Sequence, residues 1–164
     1  MQANAMVRAA AKTEADLLAG IIAASHADVA RRFNLTPANC PKHPSNCTPA
    51  WIERDLARGV RYYLADRQGE PAGCAALEHA GADMAYLERL SVLPAHRRNG
   101  LGRRLVEHVL GEAAALGAGR LGIGIIADFF ELKAWYRKLG FSAGETRVFD
   151  HLPFEVLLMA CDLT

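Results

Sequence analysis

Four arginines, Arg97, Arg98, Arg103 and Arg104, surround Gly100 and Gly102 in the stretch "SVLPAHRRNGLGRRLVEHVL", Ser91 to Leu110. A β-branched, apolar run ends at Pro94 and an amphipathic repeat begins at Leu101. A strand-to-helix corner of this kind offers backbone N–H groups without partners inside the helix, together with the positive end of the helix dipole. Glycine lets the backbone approach an anion closely and adopt torsions that a side chain forbids. Guanidinium groups add charge and forked donors suited to phosphate oxygens. The chemistry that fits this pattern is the cradling of a pyrophosphate.

Two common phosphate signatures are not met. A dinucleotide fingerprint needs a third glycine where this chain has Leu105, and no acidic residue closes a following strand. A P-loop needs Gly-Lys-Ser/Thr, a tripeptide this chain lacks. The 19 basic and 18 acidic residues leave a formal charge of +1, so bulk attraction to nucleic acid or to an anionic membrane is not expected. The anion site must be local.

Three other groups of residues could do chemistry. Tyr136, in "AWYRKLGF", could donate a proton from its phenol, although Trp135, Tyr136 and Leu139 also describe an ordinary core face. Glu88 alternates with Tyr86 and Leu90 along a strand, where its carboxylate could take a proton from an amine or pair with Arg89. "CPKHPSNC" gathers Cys40, His43 and Cys47. As zinc ligands they would need a fourth from elsewhere, such as His26 or His79. No metal is expected, and a disulfide between Cys40 and Cys47 is not expected in a reducing compartment.

The elements that must position these residues follow from periodicity and punctuation. Ala5 to Ala11 reads as a first strand, and Thr13 with Asp16 as the start of a helix, with a second short helix over 27–33. Four prolines between Leu35 and Ala50 exclude regular structure and leave a long loop. Trp51 to Arg58 is helical, with Gly59 as its cap. "VRYYLAD" and "AGCAALEHA" read as strands joined by a turn, and "ADMAYLERLSVLP" as the strand after them, ended by Pro94. Leu101, Leu105, Val106, Val109 and Ala113 mark the face of a helix that runs out at Gly117. "RLGIGII" is a strand, "FELKAWYRKLGF" a helix, and "ETRVFD" with "FEVLLMACDL" a final strand pair. No repeat or linker divides the chain, so residues 1–164 are expected to form one domain, 51% hydrophobic and large enough for its own core. The start of the chain lacks a secretory pattern and no apolar run is long enough to span a bilayer, so a cytoplasmic location is expected.

Arg97-Arg98-Asn99-Gly100-Leu101-Gly102 resembles the Arg/Gln-x-x-Gly-x-Gly/Ala signature of the GNAT superfamily, the acyl-CoA-dependent N-acyltransferases. "YLERLSVLPAHR" looks like that family's fourth strand, and "AWYRKLGF" like its "FYxKxGF" element. The matching segments run from Tyr86 to Phe141. The resemblance implies an α+β fold, sandwich-like in its α/β/α layering, with a mixed, mostly antiparallel central sheet of about seven strands and helices on both faces.

It also implies transfer of an acetyl group from acetyl-CoA to a primary amine of a small molecule, peptide or protein by direct attack. Backbone amides from Gly100 to Arg104 would hold the pyrophosphate, flanked by Arg97, Arg98, Asn99 and Arg103. The backbone of Leu90 and Val92 would hold the pantetheine arm. Tyr136 stands where the family's tyrosine protonates the leaving thiolate, and Glu88 near where such enzymes place a base. The long loop would shape the acceptor site through His43, Asn46 and Trp51. One position departs from the pattern: Phe129, beside Asp128, stands where the family often has an asparagine that touches the cofactor. That departure keeps a second reading open, a non-catalytic acyl-CoA-binding module. The C-terminal strands would offer an edge for a homodimer.

Overall fold

A computed structural model describes residues 5–163. Strand β1 (Ala5–Ala9) leads through a 3-10 turn into helix α1 (Ala15–Arg32), followed by the proline-rich loop and helix α2 (Pro49–Ala57). Strands β2 (Arg61–Arg67), β3 (Glu70–His79) and β4 (Met84–Val92) come next, then helix α3 (Leu101–Ala115) and strand β5 (Arg120–Ile126). Helix α4 (Phe130–Lys138) precedes β6 (Ser142–Arg147) and β7 (Val156–Asp162). One seven-stranded sheet results, in the order β1-β2-β3-β4-β5-β7-β6. Every neighbouring pair is antiparallel except β4 and β5. The expected α+β architecture is the one observed.

Alternation along the strands divides the core into two layers. Tyr63, Ala75, Leu77, Ala85 and Leu87 pack beneath Leu105, Val106 and Val109 of α3. Tyr62, Leu64, Cys74 and Ala76 point the other way, against Leu18, Ile22 and Ile52 of α1 and α2. Period two in the strands and spacings of three and four in the helices make this division the natural one. The β2–β3 hairpin turns on two residues with positive φ, Gln68 at 56° and Gly69 at 79°, as a two-residue turn requires.

The N-terminal helices differ from expectation in two respects. Residues 27–32 are not a separate helix but the last part of an uninterrupted α1, with Phe33 as its C-cap, because nothing near Ser25 breaks the pattern. Thr13 makes no cap. Instead the Glu14 carboxylate accepts the Ala11 N–H at 2.8 Å and holds Arg8 through both oxygens. Those bonds depress the Glu14 carboxyl to about 2.

The sheet is nearly split in the middle. Parallel pairing between β4 and β5 is limited to Met84–Arg120, Ala85–Leu121 and Tyr86–Gly122, after which the strands diverge. On its other edge β4 carries a bulge: Ala76 and Cys74 of β3 stand two residues apart, but their partners Glu88 and Ser91 are three apart. Arg89, at the bulge, has φ 54°. Gly73 accommodates the close approach there, since a Cβ at that position would lie 2.6 Å from the Ser91 carbonyl oxygen.

Candidate active site

Divergence of β4 and β5 opens a cleft of about 800 Å³ through the sheet. Its wall on the α3 and α4 face includes Gly100, Gly102, Arg103, Trp135 and Tyr136; on the α1 face it includes Ser25, His26, Val29, His43 and Pro44. Glu88, Arg89, Leu90, Ser91 and Val92 of β4 form the connecting edge.

The start of α3 presents main-chain donors that no side chain caps. Gly100 is the N-cap in the left-handed region, φ 77°. The first hydrogen bond back into the turn is from the Arg104 N–H to the Gly100 carbonyl, 3.1 Å. The amides of the preceding helical residues belong to the first turn, whose donors have no partner within a helix. Arg98 also has positive φ, 66°. Gly102 has ordinary helical torsions, and a Cβ there would press on the Trp135 ring at 3.3 Å. The small residue lets α3 seat against α4.

The four arginines do not act alike. Arg97 is committed to α1, donating to Asp28 at 2.6 Å and to the Ser25 carbonyl at 2.7 Å, and also to the Val92 carbonyl at 3.2 Å. That contact lowers the Asp28 carboxyl pKa. Arg104 donates to the Ala5 carbonyl of β1. Arg97, Arg98 and Arg103 line the cleft, Arg103 pairing with Glu107 one turn on at 2.7 Å. Asn99 folds its amide back onto the Arg97 carbonyl at 3.0 Å. Leu101 is buried beneath the corner.

Bulging of β4 overturns the simple alternation expected of Glu88 and Leu90. Arg89 points to the α2 face, where it donates to Asp55 and, at 2.6 Å, to the Tyr62 hydroxyl. Leu90 instead packs against the layer beneath α3. Glu88 makes no ion pair with Arg89. Burial raises its carboxyl to about 7, helped by a shared hydrogen bond and like charge from Glu78; Arg89 opposes the shift and Asp55 adds to it. A half-buried carboxyl beside a second acid, open to the cleft, is chemically poised to accept a proton near neutrality.

Tyr136 is buried on α4, with its ring edge-on to Trp135 at 5.0 Å and to Phe141 at 5.3 Å. Burial raises its phenol, which keeps the proton in place. The Tyr136 ring packs in the core, as the core-face reading expected, and the residue also lines the cleft. His43 reaches the cleft too, its Nδ1 within 2.7 Å of the Ser45 hydroxyl. Asn46 and Trp51 are not among the cleft residues. Asn46 donates to the Cys40 and Pro41 carbonyls, and the Trp51 ring lies under the Arg89 guanidinium, 5.3 Å from it. Cys40 and Cys47 are free thiols, and no cluster of three or more His, Cys, Asp or Glu able to hold a metal occurs among the described residues.

Residues 29–141 match the profile of the acetyltransferase (GNAT) family. The chain belongs to the GNAT family. Its members are acetyl-CoA-dependent acyltransferases, and this chain is an N-acyltransferase of that kind. The ribosomal protein bS18 alanine N-acetyltransferase of Escherichia coli K12 is 32% identical over 101 residues, 59% of this chain and 68% of that protein. Likeness extends to the fold. The crystal structure of the Escherichia coli ribosomal protein S18 alanine N-acetyltransferase superposes with TM-score 0.77 at 20% identity, covering 98% of this chain and 95% of that one. A putative acetyltransferase from Salmonella typhimurium, solved with acetyl-CoA, gives 0.70 at 20% identity over 98% and 94%.

Within this GNAT cleft, several residues occupy places that the linear sequence does not specify. His26 sits on α1 in an ordinary helical run, yet its Nε2 lies 3.2 Å from the Leu90 carbonyl and 3.1 Å from the Ser91 hydroxyl. Burial, with a contribution from His43, lowers it to about 4, so it is neutral at physiological pH. The only hint in the sequence is a polar Ser25-His26 pair on an otherwise apolar face. Phe129, Leu152 and Phe154 likewise enter the wall from loops whose path the sequence does not specify.

Proposed function

We propose that this chain transfers the acetyl group of acetyl-CoA to the α-amino group at the N-terminus of a peptide or protein, with residues 5–163 acting as one domain. The observation that carries the proposal is a single cleft with an amide-rich helix start in one wall and an elevated carboxyl in another. The name of the curated relative supports the choice of acceptor.

Gly100 to Arg103 fit a diphosphate through main-chain donors, with Arg98 and Arg103 adding charge. Arg97 and Arg104 hold the corner in place through α1 and β1. Leu90 and Val92 offer backbone groups to the pantetheine arm, and an amide of β4 polarises the thioester carbonyl as negative charge grows on its oxygen. Acetyl-CoA supplies the activated acyl carbon. Glu88 removes a proton from the ammonium form of the acceptor, whose nitrogen then bonds to that carbon. The carbon–sulfur bond breaks, Tyr136 gives its proton to the departing sulfur, and the new amide nitrogen sheds its second proton, which restores the phenol. His43 contributes to the acceptor side of the wall, and Asn46 and Trp51 support it from behind. β6 lies at the sheet edge with all its residues exposed, which supports a homodimer formed through that edge.

The test follows free thiol from acetyl-CoA with a peptide beginning in alanine. Tyr136→Phe is expected to lower kcat by roughly a hundredfold while CoA affinity in calorimetry stays within about twofold. Unchanged kcat in the folded variant assigns the proton to another donor, and no thiol release by the unaltered protein with any amine overturns the reading.

A further inference from the structure

The α1-facing part of the cleft has an apolar wall that proton transfer and phosphate binding leave unused. Val29 of α1, Phe129 after β5, and Leu152 and Phe154 before β7 all line it, and all are only half-buried. Each is fixed from behind. They pack on Ala30, Leu35, Cys40 and Ile126, which are buried. Phe33 meets Phe129 ring to ring at 5.6 Å, and the Arg32 guanidinium lies over both rings while pairing with Glu131. Between β7 and the preceding loop, Leu152, Phe154 and Val156 turn inward while His151, Pro153 and Glu155 are exposed. The Ala127 N–H to Glu155 carbonyl bond, 2.9 Å, fastens this segment beside the end of β5.

Charged groups on this side of the cleft are already engaged: Glu88 faces the entering amine, and Arg89 is held by Asp55 and Tyr62. His26 and His43 are both shifted toward the neutral form by burial, and Asp28 is occupied by Arg97. A charged or strongly polar substituent entering here would lose its hydration with no partner to replace it. An apolar one would cover the exposed parts of two phenylalanines, a leucine and a valine, which favours binding at about 25 cal/mol per Å². A methyl group is too small to cover such a wall.

We infer that Phe129, Leu152, Phe154 and Val29 form a side-chain pocket that selects acceptors whose amine neighbours a large aliphatic or aromatic group. The inference rests on the proposed acceptor reading, because it takes the Glu88 side of the cleft as the place where the amine enters. In peptide terms the preferred N-terminal residues are leucine, methionine or phenylalanine. Alanine ranks below them, and aspartate or lysine lowest.

The experiment compares kcat/KM by thiol release for peptides that differ only in an N-terminal Ala, Leu, Phe, Asp or Lys. Leu and Phe are expected to exceed Ala by about tenfold. Phe154→Ala should bring that ratio close to one, and Phe154→Leu should keep most of it. CoA affinity, measured by calorimetry on each variant, reports whether the fold and the donor site survive. If the first variant does not fold, Leu152→Ala provides the same comparison. Equal rates for Leu, Ala and Asp peptides overturn the inference, as does a Leu preference that persists in a folded Phe154→Ala protein. A parallel arm uses hexanoyl-CoA. Preference for it over acetyl-CoA, lost in Phe154→Ala, would assign the wall to the acyl chain and also overturn the inference. Acetylation of small amines but of no peptide defeats the peptide reading instead, which separates the two failures.

Discussion

Glu88 owes its chemistry to its neighbours. The side chain lies near Glu78 of β3 and Asp55 of α2, both of which Arg58 also binds, while Arg89 favours ionisation. Burial and the second carboxyl outweigh that cation, and the result is a pKa of about 7 rather than the usual carboxylate value. A general base must be ionised to work, so kcat/KM is expected to fall as pH drops below about 7. Glu78→Gln removes the like charge and should move this acidic limb to lower pH, which a pH–rate profile with saturating acetyl-CoA would measure. An unmoved limb would separate Glu88 from the titration. The arginines teach a related lesson at this scale. Arg97, Arg103 and Arg104 look alike in the sequence, but Arg97 donates to Asp28, Ser25 and Val92, Arg103 to Glu107 and Arg104 to Ala5.

At the scale of elements, the corner between β4 and α3 depends on one torsion. Gly100 has φ 77°, and a Cβ there would meet nothing within 4 Å. Substitution is therefore a torsional matter and not one of crowding. The left-handed conformation costs a residue with a side chain roughly 1–2 kcal/mol. Gly100→Val is expected to rotate the first-turn amides away from a common centre and weaken CoA binding by about tenfold. Isothermal titration on the folded variant would read this directly, and undiminished affinity would remove the cradle from the account. Element boundaries near this corner were legible from Pro94 and the apolar spacing of α3. The bulge in β4 was not. It arises from the mismatch with β3 around Gly73, and nothing within β4 itself marks it.

At the scale of the whole molecule, the cleft exists because the sheet is joined across its middle by only a short run of β4–β5 pairing. The edges of that opening must be held from outside. Asp55 does this for β4: buried at 6% exposure, it accepts from Arg58 at 2.9 Å, from the Tyr62 hydroxyl, and from Arg89 at the bulge. Asp55→Ala would leave the Arg89 guanidinium largely buried and uncompensated, a change that costs on the order of 3 kcal/mol. In a domain of this size that corresponds to a fall in Tm of roughly 6–12 °C, which scanning calorimetry at neutral pH would detect. A shift of a degree or less would mean that the bulge is held by the β3–β4 ladder alone. Opposite Asp55, the contact of Arg32 and Phe33 with Phe129 and Glu131 joins α1 to the start of α4, across the divided strands.

Sequence alone determined the order of strands and helices, the glycine-capped corner and the family, because each of these rests on local torsions and on the period of apolar residues. The helix that carries Tyr136 was legible for the same reason, lying within a contiguous motif. Tertiary structure alone decided which arginines remain for a ligand, which face Glu88 shares with Glu78, and how His26, Phe129 and Phe154 come together around one cleft. Those outcomes depend on distances between residues far apart in the chain. Such distances are set by how β4 and β5 diverge and by what α1 packs against, and no stretch of sequence contains them.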